Sequence, residues 1–117
     1  MSVAAILKSL PKNDYLVIND LMLRLGNWTS QIDHVVVSKF GVFVIETKNY
    51  QGWISGGENS DKWVQNIFGH KYELYNPIQQ NYSHIKAIRK CIGDEGNVKM
   101  IPIVAFANKA TLRIHTE

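Results

Sequence analysis

Residues 32–52 read IDHVVVSKFGVFVIETKNYQG: two apolar runs that meet at a turn, each carrying a carboxylate. The runs at 35–37 and 42–45 favour strand over helix, because β-branched and aromatic side chains fit a pleated surface. Asp33 opens the first run. Glu46 interrupts the end of the second, and Lys48 follows two residues later. Residues two apart on a strand share a face, so Glu46 and Lys48 project together. Whether Asp33 joins them depends on the turn, since directly opposite residues of a hairpin also share a face. A two-residue loop at Phe40-Gly41 sets Asp33 opposite Lys48, and a four-residue loop over 38–41 sets it opposite Glu46. Either unites the three. A three-residue loop turns Asp33 away unless a bulge turns it back.

Such a cluster has a chemical use. Two carboxylates can hold Mg²⁺ (or Mn²⁺), a hard cation that prefers oxygen and keeps some of its waters. The ion acidifies a bound water and neutralises charge on a scissile phosphate. A lysine beside it can orient the water or stabilise developing negative charge, and Glu46 helps keep Lys48 protonated. An isolated Glu-x-Lys at a strand end is usually a solvated pair that contributes little. Asp33 across the hairpin is what distinguishes this one.

The rest of the chain is consistent with one domain over 1–117, expected to be cut at both ends from a longer chain. With 45% hydrophobic and 20% charged residues it reads as globular, and no apolar run approaches the roughly 20 residues that span a bilayer. The start, MSVAAILKSL, is too short and too weakly apolar for a signal peptide, so a cytoplasmic location is expected. A net charge of +3 suits an anionic partner only mildly, because the basic residues are scattered. The single cysteine, Cys91, excludes an internal disulfide and is expected on the buried face of a helix. Without a secretory signal, the glycosylation sequons at Asn27 and Asn81 are taken as chance.

Reading along the chain, residues 2–9 resemble the tail of a helix, and 15–25 a strand with a bend at Asn19-Asp20. The hairpin covers 29–38 and 42–48, and a short strand with a Gly-Gly turn covers 52–57. The aromatic stretch 62–75 reads as short strands or a loop closing over the sheet. Asn76-Pro77 starts a helix running to about Cys91, with Ile85, Ile88 and Ile92 at buried spacing. Strands follow at 99–106 and 110–115. The order α-β-β-β-α-β predicts an α/β fold, a mixed sheet with the long helix packed on it.

These motifs resemble the signature of the nuclease-related domain family, NERD. The residues that carry the resemblance are Gln31-Ile32-Asp33-His34, the run 41–48 through Glu46-Thr47-Lys48, Gly52, Trp63, and Asn76-Pro77 followed by Gln80. It extends from about Val3 to Phe106. The family is in turn similar to the PD-(D/E)XK nucleases, whose core has the same element order. The resemblance implies that Asp33 and Glu46 are metal ligands together with the Thr47 carbonyl, and that Lys48 is the catalytic lysine. Gln80 and His84, i and i+4 on one helix face, resemble the Gln-x-x-x-Tyr element of RecB-like nucleases, with histidine replacing tyrosine. That puts Gln80 at the metal site or a phosphate, and Lys48, Gln80 and His84 against nucleic acid. In one respect the chain departs from the family: no glutamate precedes Glu46, whereas members usually carry one on the first helix. The expected function is a Mg²⁺-dependent nuclease acting on DNA in DNA processing. The alternative is a binding module that keeps the fold without the chemistry.

Other candidates carry less. His34 belongs to the opposite strand face from Asp33. His70 and His115 have no partner at zinc spacing. SGGENS does not lead from strand into helix, so it is no phosphate loop. Trp28, Trp53 and Trp63 are expected at core or rim more than against bases.

Overall fold

The computed structural model describes residues 2–116. They form α1 (Val3–Lys8), β1 (Tyr15–Leu25), β2 (Trp28–Ser38), β3 (Gly41–Lys48), β4 (Gly52–Gly57), β5 (Lys62–Ile67), β6 (His70–Tyr75), α2 (Pro77–Ile92), β7 (Met100–Phe106) and β8 (Ala110–His115). The architecture is α/β with two four-stranded mixed sheets, ordered β1-β2-β3-β7 and β6-β5-β4-β8. No helix among the described residues is long and apolar enough to cross a membrane.

The central hairpin closes with Ser38 opposite Gly41, and His34 opposite Ile45. Continued one step, this register brings Asp33 level with Glu46. It is the register of the four-residue loop, closed more tightly around Lys39-Phe40. The Ser38 hydroxyl supports the closure, donating to the Gly41 carbonyl and accepting from the Phe40 N–H, both at 3.1 Å. Gly41 has φ of +140°, and a Cβ there would lie 2.9 Å from the Lys99 carbonyl oxygen, so glycine alone fits.

β2 and β3 are apolar on both sides because the first sheet is covered on both faces. Ile32, Val35 and Val44 pack against Ile85 and Ile88 of α2, while Val36 and Ile45 pack against Leu7 of α1. Ile18 and Leu21 of β1 both join the α2 side although they are three apart, as do Ile32 and Val35 of β2. A strict period of two forbids that. The bend supplies the parity shift: Asp20 has φ of +52°, and the ladder is broken between Asn19–His34 and Leu21–Ile32.

Asn76 caps α2, its Oδ1 accepting from the Ile78 N–H at 2.9 Å, and Gly93 ends it in the left-handed conformation. Ile92 and Cys91 were expected on the buried face, and both are exposed. They continue the stripe of Ile85 and Ile88, but the last turn runs past the strands that stripe packs on. Arg89 ties that end down instead, ion-paired to Asp94 and donating to the Val98 carbonyl at 2.9 Å.

Residues 62–75 are not a loop over the first sheet. They form the β5–β6 hairpin of the second sheet. The two sheets are joined where β3 runs into β4 and β7 into β8. Both pairs are parallel, and they stay bonded across the junction through Ala107 N–H to Lys48 C=O (2.9 Å) and Gly52 N–H to Lys109 C=O (3.3 Å). Trp63 plugs the junction. It is fully buried, stacked on Phe106 with centroids 6.3 Å apart, and donates Nε1–H to the Gly57 carbonyl at 2.9 Å.

Asn76 also fastens the second sheet to α2. Its Nδ2 faces the carbonyls of Gly57, Glu58 and Ser60 at 3.3, 2.8 and 2.7 Å. Asn76→Ala is therefore expected to cost about 2–4 kcal/mol, a lost cap plus the lost hydrogen bonds of a fully buried amide. Urea unfolding followed by circular dichroism measures it.

Candidate functional site

Glu46 lies two residues after Val44 on the α2 side of β3, where apolar packing gives way to the end of the sheet. Its side chain is buried all the same. One carboxylate oxygen, Oε1, is 3.3 Å from the Lys48 ammonium. The other, Oε2, is 3.4 Å from His84 Nδ1 and makes no hydrogen bond. Asp33 reaches across from β2, its Oδ2 accepting from both the Thr47 N–H and the Thr47 hydroxyl at 2.9 Å. The side chain thus stands in for a ladder bond at the fraying end of the hairpin. That contact fixes Asp33 beside Glu46.

α2 completes the arrangement. Asn81 is fully buried and donates to the carbonyls of Val44 and Ile103, at 2.9 and 3.2 Å, stapling the helix to β3 and β7 just before Glu46. One turn on, His84 Nδ1 lies 3.4 Å from Asn81 Oδ1 as well as facing Glu46. Sequence reasoning gave Asn81 no role beyond a chance sequon. The available signal was a polar residue on the stripe that also carries His84, Ile85 and Ile88. His84, expected to contact nucleic acid, is buried, and its polar contacts are Glu46 and Asn81. Gln80 is exposed at the mouth. An open cleft of about 480 Å³ is lined by Asp33, Glu46, Gln80 and His84, among others. A second, also about 480 Å³, is lined by Lys48 and again by Gln80. All six residues singled out, Asp33, Glu46, Thr47, Lys48, Gln80 and His84, meet at this end of β3. His34 points away and bonds Asn19 Oδ1 at 2.8 Å. Trp28 and Trp53 lie half-exposed at the rim.

Burial pushes the Glu46 carboxyl above its ordinary range, and the Asp33 charge beside it pushes the same way, with Lys48 only partly opposing. Burial also holds the His84 imidazole below its usual value; Asp33 pulls it up and Lys48 pulls it down. Two carboxylates here share one lysine, which leaves negative charge uncompensated. A hard divalent cation fits that deficit: Glu46 Oε2 is buried with no hydrogen bond, and Asp33 brings a second carboxylate. Among the described residues no three His, Cys, Asp or Glu side chains form a ready-made ligand group. An ion here would complete its shell with the Thr47 carbonyl and water.

The raised Glu46 pKa has a consequence for stability. The folded chain holds that proton more tightly than the unfolded chain, so the stability Glu46 confers is present below its ordinary 4.5 and lost as pH rises through the higher folded value. In chelator, Glu46→Gln is expected to melt above wild type at pH 7, with the gap shrinking toward pH 4. Added Mg²⁺ or Mn²⁺ should raise the wild-type Tm alone. Thermal melts across that range, with and without the ion, check both.

The profile of the nuclease-related domain family matches residues 1–107. An uncharacterized protein of Bacillus anthracis is 45% identical over 103 residues, which cover 88% of this chain and 48% of that protein. The chain thus spans about half the length of the curated relative it matches. No solved structure matches it.

Proposed function

The chain belongs to the nuclease-related domain family, and from that premise we propose that it is a metal-dependent nuclease domain that hydrolyses phosphodiester bonds of DNA in cytoplasmic DNA processing. The fold is then read as PD-(D/E)XK-like, with α1-β1-β2-β3-α2-β7 as its core. One observation carries the reading. A buried carboxylate with an unbonded oxygen, Glu46, sits among a second carboxylate, a lysine and a neutral histidine. A purely structural site would pair that oxygen.

Asp33, Glu46 and the Thr47 carbonyl would hold Mg²⁺ or Mn²⁺, which when bound acidifies a water and neutralises phosphate charge. Lys48, ion-paired to Glu46 at 3.3 Å, orients the attacking water or stabilises the charge that develops on the phosphate. Gln80 at the mouth contacts a phosphate of the nucleic acid. His84 acts through Glu46, holding its carboxylate in place, rather than on the nucleic acid. Asn81 fixes the helix that carries both Gln80 and His84.

The test is calorimetric titration with Mn²⁺ and Mg²⁺, coupled to cleavage of plasmid and single-stranded DNA. Ion binding with ion-dependent cleavage is expected. A chain that binds no ion and cuts nothing is instead a binding module. That reading is favoured by one feature: among the described residues no third acidic, His or Cys side chain joins Asp33 and Glu46 in a ligand group.

A further inference from the structure

The cleft on the Lys48 side has a composition that phosphate binding does not explain. Its lining joins residues of α2 and of the second sheet, and includes Lys48 and Gln80 of the site together with Tyr50, Asp61, Glu73 and Tyr75. Asp61 and Glu73 in this lining repel a phosphate backbone, where Lys48 attracts one. They accept hydrogen bonds from N–H groups, and every nucleobase carries one on its Watson–Crick edge when unpaired. The two rings offer flat apolar surface. Tyr50 packs against Phe106, with centroids 6.3 Å apart. Tyr75 is 73% exposed and buries little of its ring against the protein. The cleft therefore combines a phosphate-attracting lysine with carboxylates and tyrosine rings that suit a base.

The same sheet face continues the pattern. Tyr75 pairs with Lys62 across β5–β6, and Trp53 pairs with Asn66 across β4–β5, so Tyr75 and Trp53 share a face. Trp63 is on the other one. Each exposed ring on this face carries a cation: Lys62 Nζ is 3.6 Å from the Tyr75 centroid, and Arg113 is 4.5 Å from that of Trp53. Aromatic platforms interleaved with cations suit unstacked bases and the phosphates between them, which a duplex does not present.

We infer that this cleft seats an unstacked base of a single-stranded nucleic acid on Tyr75, next to the phosphate held at Lys48. The inference rests on the nucleolytic reading of the site and narrows its substrate to single strands or frayed ends.

The test is fluorescence anisotropy of a labelled 12-mer, single-stranded or annealed to its complement, in EDTA so that nothing is cut. Wild type is expected to prefer the single strand. Tyr75→Ala should weaken single-strand binding about 5- to 100-fold, the loss of one base stack, and leave the duplex unchanged. Tyr75→Phe should restore it. The thermal melt of Tyr75→Ala should match wild type, since the ring is exposed. Unchanged single-strand affinity in Tyr75→Ala, or a wild-type preference for duplex, overturns the inference and leaves the nuclease reading standing if metal binding and cleavage are found. Tyr75-dependent binding without ion binding or cleavage sinks the nuclease reading and keeps the base-stacking cleft. Absence of nucleic-acid binding defeats both.

Discussion

Lys48→Ala is expected to cut phosphodiester hydrolysis by roughly 10²–10³, the scale of one lost electrostatic stabiliser, while divalent-ion binding survives. The two effects separate because Lys48 and the carboxylates do different work. The Lys48 ammonium, 3.3 Å from Glu46, acts on charge that grows only during cleavage. Its removal leaves both carboxylates in place and takes a positive charge away from the ion. Asp33 is the contrasting position. Asp33→Asn keeps an oxygen to accept from the Thr47 N–H and hydroxyl, so the hairpin end stays bonded, but it removes one of two anionic ligands. Ion binding and cleavage should fall together. Calorimetry and plasmid cleavage on the two variants give the answer side by side. If Lys48→Ala loses the ion as completely as Asp33→Asn does, Lys48 serves to hold Glu46 and is no stabiliser of the reaction.

Much of this site could be read in advance, because it lies on one hairpin. The two β-branched runs specify strands locally, and the spacing of Glu46 and Lys48 puts them on one face under any register. The register itself could not be read. It is set by the Ser38 hydroxyl, and by the Lys99 backbone that leaves no room beside Gly41. Long-range packing hid the second sheet for the same reason. The stretch 62–75 has no clear alternation because Tyr72 and Tyr75, which face water, are as aromatic as Trp63, which does not. Only Phe106, far along the chain, tells them apart. On α2 the periodicity correctly gave Ile85 and Ile88 but overran at Ile92, since spacing carries no information about where the opposing sheet stops. His84 was expected at this end of the hairpin, but its burial was not legible, and Asn81 drew no role at all, because a polar residue on a helix is exposed by default. Their partners, backbone carbonyls and Glu46, are visible only once the strands are assembled.

Trp63→Ala is expected to lower stability by about 3–5 kcal/mol, the usual cost of truncating a buried aromatic and a large share of what a small domain has. The ring fills the space where the two sheets meet. Its loss strips Phe106 of its stacking partner and removes the shortest of the hydrogen bonds to the Gly57 carbonyl, which keeps Asn76 Nδ2 and the Ser60 N–H. Trp63→Phe keeps most of the ring and loses the hydrogen bond, so it should cost distinctly less. The Gly56 position gives an independent check on the cause. A Cβ there would lie 2.1 Å from the Trp63 ring, an overlap the fully buried ring has little room to relieve. Gly56→Ala should therefore be strongly destabilising in wild type and nearly harmless once Trp63 is alanine, because the methyl then enters the vacated space. Urea unfolding of the four proteins closes the double-mutant cycle. Non-additivity of the two changes is the expected result. Additive costs would mean that Gly56 is required for its backbone and that the junction is not packed around the indole. The ion site should be spared throughout, since Asp33 and Glu46 are held by Thr47 and by α2 through Asn81, all on the first sheet's side of the junction. Folded Trp63→Ala should then titrate with Mn²⁺ as wild type does, which separates the stability of the second sheet from the chemistry of the first.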